Sequence, residues 1–127
     1  MVRRLIIKSD STGDVSAELD EVKCPETSNA IWNALPITGR ASCWGEEVYF
    51  STNVSAVEEN SQEIVDVGAI AYWPPGQAIC IFFGRTPASK DNRPRAASPV
   101  NVIGKLLGDP LLFKKVRNGE KIVIERH

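Results

Sequence analysis

Two apolar runs separated by a pair of prolines constrain the fold of this chain more than any other feature. Residues 67–84 read VGAIAYWPPGQAICIFFG, and both runs are rich in strand-forming residues. Each run is shorter than the roughly ten residues that an ordinary helix needs, and proline and glycine bound it. Pro74 cannot donate a backbone hydrogen bond to a sheet. The segment therefore predicts a core β-hairpin with a stiff tip. We expect four of its side chains to be buried: Ile70, Ile79, Ile81 and Phe83.

Composition limits the class of protein. The 127 residues suffice for one domain with its own core, so we expect a single domain over residues 1–127. Fifteen basic and 16 acidic residues nearly cancel, which argues against a nucleic-acid partner. No stretch approaches the roughly 18 apolar residues of a membrane span, and no signal peptide is expected. Three cysteines without metal-binding spacing favour a reduced cytoplasmic protein without a metal or cofactor.

The rest of the chain adds strands and two capped helices. Alternating apolar residues predict strands on both sides of the turn at Gly13, and proline at the first turn predicts helices over residues 25–35 and 109–116. Strands and helices do not alternate, so a doubly wound parallel sheet is not expected. About eight strands in so short a chain favour a closed, mostly antiparallel β-barrel, because closure removes exposed sheet edges.

Residues 85–99 contain three prolines and almost no apolar side chains. A long loop of this kind is often mobile or functional. Its cations are either solvated or part of a mobile lid that places a guanidinium over a carboxylate or phosphate of a ligand. The residues concerned are Arg85, Lys90, Arg93 and Arg95.

Histidine chemistry is not expected, since the only histidine is the last residue, His127. The acidic pairs Glu46–Glu47 and Glu58–Glu59 are adjacent in sequence, so their side chains point to opposite faces of a strand. Neither pair therefore makes an acid–base dyad, and both are interpreted as solvated surface. Five aromatic residues near strand ends either pack in the core or line a concave binding face, where tryptophan and tyrosine offer apolar area with a polar group. They are Trp44, Tyr49, Phe50, Tyr72 and Trp73.

The stretch GAIAYWPPGQAICIFFGRTP, followed by NVIGKLLGDPLLFKKVRNGEKIVIE, resembles the small prokaryotic cyclophilin-like proteins of uncharacterised function. Phe82-Phe83 is similar to the paired phenylalanines of a cyclophilin core strand. This resemblance implies a cyclophilin-like barrel over nearly the whole chain. Cyclophilins that isomerise prolyl bonds carry an arginine in an F-H-R segment, which would fall near residues 48–52, where no arginine or histidine is present. Cys80-Ile81 also stands where those enzymes have a glutamine, so isomerase activity is expected to be absent or very weak, with no catalytic residue assigned.

Together these patterns favour a barrel that binds a small molecule or peptide. The predicted ligand-binding residues are Arg40, Trp44, Tyr49, Tyr72, Trp73 and Arg85. One alternative is a peptidyl-prolyl isomerase in which Arg40 or Arg85 replaces the missing arginine. Another is an accessory module that acts through a partner enzyme.

Overall fold

The computed structural model describes residues 2–127, which form ten strands, one α-helix and two short 3₁₀ helices. The strands are β1 (Val2–Ser9), β2 (Gly13–Asp20), β3 (Ile37–Arg40), β4 (Ser42–Cys43), β5 (Glu47–Ser51), β6 (Gln62–Ile64), β7 (Ala69–Trp73), β8 (Ala78–Phe82), β9 (Arg95–Leu106) and β10 (Lys121–Arg126). The α-helix is α1 (Pro25–Ala34), and the 3₁₀ helices are Pro74–Gly76 and Pro110–Lys115. Among these residues no helix is long and apolar enough to cross a membrane.

The sheet is antiparallel and follows the order β3-β10-β1-β2-β9-β7-β8-β5-β4, with β6 paired to β9 outside this order. The central hairpin is confirmed, since β7 and β8 pair from Ile70↔Ile81 to Trp73↔Ala78. Its tip is a 3₁₀ turn that ends with Gln77 in the left-handed region at φ 47°. The predicted mainly β architecture is therefore confirmed.

The predicted closed barrel is not confirmed, because no hydrogen bonds join the edge strands β3 and β4. The chain passes directly from β3 to β4 through Ala41, whose amide donates to Glu120 O (2.8 Å) and whose carbonyl accepts from Gly119 N (2.7 Å). Side-chain packing, not hydrogen bonding, holds this edge of the sheet together. A Cβ atom on Gly39 would lie 2.6 Å from the Phe50 ring, so β3 and β5 meet through close packing.

Two apolar clusters lie on opposite faces of the β7–β8 hairpin. The inner core lies between the strands and holds residues from nearly every element, including Ile70, Ile79, Ile81 and Phe83. These four side chains are at most 6% exposed, so their predicted burial is confirmed. The outer cluster covers the other face of the hairpin and consists of Val65, Ala69, Ala71, Cys80, Phe82, Ala96 and Val100.

Strand β9 contributes Ala96 and Val100 to the outer cluster. Its early start shows that the predicted long loop over residues 85–99 is wrong for residues 95–99. The strand begins at Arg95, and its first half pairs with β6 through a register shift between Gln62 and Ile64. Such an irregularity tolerates Pro99, which lacks an amide hydrogen. Pro94 and Ala96 are buried, so this part of the segment has the apolar anchors that its composition did not suggest.

Helix α1 starts at Pro25 as predicted, but its cap comes from a distant residue. Cys24, at the N-cap position, makes no side-chain capping bond. The Glu59 carboxylate instead accepts hydrogen bonds from Glu26 N (3.1 Å), Thr27 N (2.9 Å) and the Thr27 hydroxyl (2.7 Å). Burial alone would raise the pKa of Glu59, but these hydrogen bonds outweigh it and the pKa is lowered. Glu59 is half-buried and has a capping role that its interpretation as solvated surface did not include.

Loss of this cap is expected to destabilise the protein. Glu59→Ala should lower the free energy of unfolding by about 0.5–2 kcal/mol, the usual cost of removing a helix cap. Because the folded-state pKa is below the unfolded one, the stabilisation is present at neutral pH and is lost as the pH falls through the folded-state pKa. Urea unfolding of Glu59→Ala and of the exposed neighbour control Glu58→Ala measures the effect. Equal stability of the two variants would contradict the capping role.

The second predicted helix is present as the 3₁₀ helix Pro110–Lys115. The Asp109 side chain accepts from Leu111 N at 3.0 Å, which caps the first turn as the sequence indicates. Phe113 is fully buried and anchors this helix to the inner core.

Candidate functional site

A cavity of about 210 Å³ opens on the outer face of strands β5, β8 and β7. The first residues of β9 form its other wall, so the cavity lies between the sheet and the segment that covers the outer cluster. Most of its lining atoms are apolar. The lining residues are Trp44, Glu47, Tyr49, Trp73, Cys80, Ala96, Ala97 and Val100.

Strand alternation brings the side chains of the sheet wall together. Glu47 and Tyr49 are two residues apart on β5 and therefore project from the same face. Tyr49 pairs with Cys80 of β8, and Cys80 in turn pairs with Ala71 of β7. The small side chains of Ala96 and Ala97 on the opposite wall leave the space open.

A tight turn places Trp44 beside Glu47. Trp44 N donates to Glu47 O (2.9 Å), and Glu47 N donates to Trp44 O (3.2 Å). Gly45 within this turn has φ 60°, and a Cβ atom there would lie 2.7 Å from Cδ of Pro87. The turn is thus held against the chain after β8, where Glu46 N also donates to Arg85 O at 2.8 Å. A side chain at this position would force the turn that carries Trp44 away from residues 85–87.

Trp73 is fixed on the other side of the cavity. Its indole N–H donates to the Ser98 hydroxyl at 2.7 Å, which links the end of β7 to the first half of β9. Trp44, Tyr49 and Trp73 are all half-buried. Their rings are therefore partly available to a molecule that enters the cavity from solvent.

Glu47 is the unusual residue of this site. Its exposed fraction is only 5%, and burial raises the pKa of the carboxyl to about 7, an effect that the Cys80 thiol partly opposes as a hydrogen-bond donor. Burial, together with the nearby Glu47 charge, raises the pKa of Cys80 well above its ordinary value, so this thiol stays protonated near neutral pH. A carboxyl that titrates near neutrality can accept or donate a proton, and such groups concentrate at functional sites.

Three of the six residues predicted to bind ligand meet at this cavity: Trp44, Tyr49 and Trp73. Tyr72 is the residue before Trp73 on β7, so strand alternation turns its side chain to the opposite face, into the inner core. It is fully buried, and its hydroxyl donates to Val54 O at 2.6 Å. Arg40 is exposed at the end of β3, where its guanidinium donates to Gly119 O, and exposed Arg85 does not line the cavity either.

Two of the remaining cations of the predicted lid already have acidic partners. Arg93 pairs with Asp91 at 2.7 Å within the loop, and Arg95 pairs with Glu63 of β6 at 3.1 Å. Neither lines the cavity. Within residues 2–127 no group of three or more histidine, cysteine, aspartate or glutamate residues could hold a metal ion.

Sequence reasoning missed Glu47, whose interpretation as solvated surface is wrong. The two-residue spacing of Glu47 and Tyr49 was a usable signal, since it places the carboxyl on the same face as a predicted binding residue. Ala96 and Val100, which line the same cavity, are about fifty residues away in sequence, so the surroundings of Glu47 could not be read from its neighbours in the chain. Cys80 belongs to the apolar run predicted as a core strand, and it is buried beside this carboxyl.

Comparisons with known proteins agree with this architecture. The chain matches the model of the Cyclophilin-like family over residues 3–125, and it belongs to that family. It is similar to the hypothetical protein AF2241 from Archaeoglobus fulgidus, with 47% sequence identity. The solution structure of AF2241 matches the fold with a TM-score of 0.82. That alignment covers 98% of this chain and 95% of AF2241.

A more distant neighbour shows the fold alone. McbB, solved in complex with tryptophan, has a TM-score of 0.74 at 13% sequence identity. The alignment covers 96% of this chain but only 44% of McbB. No curated protein matches this chain in sequence.

Proposed function

We propose that this protein binds a small molecule, or a single side chain of a peptide, in the cavity between β5, β8 and the start of β9. The observation that carries the proposal is a concave apolar site with three aromatic side chains and one buried carboxyl. Small-molecule sites have this composition, in which apolar walls supply contact area and a few polar groups orient the ligand. We also infer a cytoplasmic location, because Cys24, Cys43 and Cys80 are all free thiols.

The size of the cavity limits the ligand. A volume of about 210 Å³ is below the roughly 300–1,000 Å³ of sites that hold drug-sized molecules. It suits a group such as one aromatic ring with a short substituent. Tryptophan, the ligand of McbB, is therefore a reasonable probe to include beside smaller aromatic compounds, although the likeness to McbB concerns the fold only.

Binding can be tested by NMR, since the chain has three tryptophans and two of them line the cavity. Aromatic fragments and proline-containing peptides are titrated into protein labelled with nitrogen-15. A ligand in the cavity should shift the indole N–H signals of Trp44 and Trp73. The indole of Trp32, which lies between the guanidiniums of Arg3 and Arg126, should stay unchanged.

A cavity-filling variant makes this test specific. Ala97 is exposed and lines the cavity, so Ala97→Leu should occupy the space without disturbing the core. Ala34→Leu, at an exposed position on α1, is the matched control. We expect ligand shifts in the wild type and in Ala34→Leu and their loss in Ala97→Leu. Unchanged binding to Ala97→Leu, or no fragment that shifts Trp44 and Trp73, would overturn the proposal.

Prolyl isomerisation is expected to be absent or very weak. Isomerase catalysis needs a donor aimed at the amide whose charge shifts in the transition state, and loss of one such donor typically costs about 100- to 1,000-fold. Neither Arg40 nor Arg85 lines the cavity. A standard proline-peptide assay checks this expectation. Efficient turnover that disappears in Arg40→Ala or Arg85→Ala would instead establish an isomerase with a substituted arginine.

The role of an accessory module of a partner enzyme remains a separate alternative. It makes a different prediction, namely that Ala97→Leu leaves association with the partner intact. Affinity purification with the wild type and with Ala97→Leu separates the two cases. Recovery of the same enzyme with both proteins would favour the accessory role over ligand binding at this cavity.

A further inference from the structure

We propose that the ligand of this cavity is a small organic cation, an alkylammonium on an apolar body, which binds against the Glu47 carboxylate; the proposal rests on the binding function proposed above. The ammonium could belong to a free amine or to a lysine side chain of a peptide. Both sources share one chemistry, a positive charge next to an apolar group. Charge balance, the aromatic walls and the neighbouring charges of the cavity all favour such a ligand.

The charge of Glu47 is not balanced within the cavity. Glu47 is 5% exposed, and no lysine, arginine or histidine among the described residues lines the cavity with it. A buried carboxylate without a counter-ion is costly, whereas one that is paired with a cation is tolerated. A cationic ligand supplies the missing counter-ion. An anionic ligand would place a second negative charge beside Glu47.

The walls of the cavity suit an organic cation. Trp44, Tyr49 and Trp73 are three of the eight lining residues, and the faces of such rings attract cations within about 6 Å. Ala96 and Val100 offer apolar contact for the body of the ligand. The cavity thus combines one carboxyl with aromatic rings, the combination by which proteins recognise organic ammonium groups.

The neighbouring charged side chains do not compete with a ligand for the Glu47 carboxyl. Glu46 pairs with Lys114 at 3.5 Å, and Arg95 pairs with Glu63 at 3.1 Å, so these two cations have their own partners. Arg85 follows β8 and is exposed to solvent outside the lining. The other titratable side chains in the lining are Cys80 and Tyr49. Burial keeps Cys80 a neutral thiol.

Binding of a cation at Glu47 should depend on pH. In the free protein the carboxyl has a pKa of about 7, so it is largely protonated at about pH 6 and largely ionised at about pH 8. An alkylammonium keeps its charge throughout this range. Affinity for the cation should therefore rise with pH, by roughly tenfold between these two values. A neutral ligand of the same shape should not gain affinity.

The test compares phenethylamine, phenethyl alcohol and phenylacetate, which share a ring but differ in charge, with a capped lysine peptide as a fourth probe. Dissociation constants come from the indole N–H signals of Trp44 and Trp73 at about pH 6 and pH 8. Glu47→Gln keeps the shape of the side chain and removes its charge. Glu46→Gln, at the adjacent position outside the lining, is the matched control.

We expect phenethylamine to bind more tightly than the alcohol, and phenylacetate to bind least. Glu47→Gln should weaken amine binding by roughly 10- to 100-fold and abolish its pH dependence, since bonds to charged groups contribute this much. Glu46→Gln should bind as the wild type does. The same signature with the lysine peptide alone assigns the ammonium to a peptide and also supports the proposal.

Two results would overturn the proposal, and they are distinguishable. If the alcohol binds as tightly as the amine, or if Glu47→Gln binds the amine with unchanged affinity, the cation preference is wrong while ligand binding at the cavity stands. If none of the four probes, and no other fragment, shifts Trp44 and Trp73, both the cation preference and the binding function are wrong.

Discussion

Ile81→Ala is expected to lower the free energy of unfolding by about 2–5 kcal/mol, because it opens a cavity at a position that cannot collapse easily. Ile81 is fully buried in β8, pairs with Val48 and Ile70 on its two sides, and packs into the inner core. Urea unfolding followed by circular dichroism measures the change. The size of this loss tests whether the β7–β8 hairpin is the structural centre of the sheet.

The control for this variant is Val67→Ala, just before β7, where the side chain is 52% exposed. Surface substitutions of this kind usually change stability by less than about 0.5 kcal/mol. A loss below about 1 kcal/mol for Ile81→Ala would mean that its side chain does not fill the inner core.

Gly104→Ala is expected to cost about 1–3 kcal/mol or more through overpacking. A Cβ atom at this position would lie 2.0 Å from the carbonyl oxygen of Glu18. That carbonyl belongs to β2, which pairs with β9 at Leu19↔Gly104. The backbone cannot move aside without breaking the pairing, so β2 and β9 must separate. Thermal unfolding should show a clearly lowered midpoint.

Gly108→Ala serves as the comparison, because the added methyl group would meet only a side-chain methyl of Val15, at 3.0 Å. A side chain can shift by a few tenths of an ångström more easily than a paired strand can. We therefore expect a smaller loss for Gly108→Ala. Equal stability of Gly104→Ala and the wild type would show that β2 and β9 are further apart than described.

Local signals in the sequence predicted the elements whose determinants are close together. The hairpin around Pro74–Gly76, the start of α1 at Pro25 and the Asp109 cap each depend on a few adjacent residues, and all three are confirmed. The unpaired edges β3 and β4 and the strand start at Arg95 depend on which distant segments pair. Strand propensity and periodicity contain no information on which edges pair, so these features were not predictable in the same way.

The same distinction explains the site. Aromatic composition selected Trp44, Tyr49 and Trp73, but it also selected Tyr72, which alternation turns into the inner core. Glu47 and Glu59 look like ordinary surface acids in sequence. Each acquires its special surroundings from a distant segment. Glu47 shares its cavity with the start of β9, and Glu59 caps the first turn of α1. Long-range contacts therefore decide the chemistry of both carboxyls.

The most direct test of this account is the titration of the Glu47 side chain by carbon-13 NMR, with and without phenethylamine. We predict a midpoint near pH 7 in the free protein, because burial disfavours the charged carboxyl. The midpoint should fall when phenethylamine is bound, because a cation beside the carboxyl favours its ionised form. A midpoint near the ordinary glutamate value of about 4.3, unchanged by the amine, would contradict both the buried carboxyl and its role in binding.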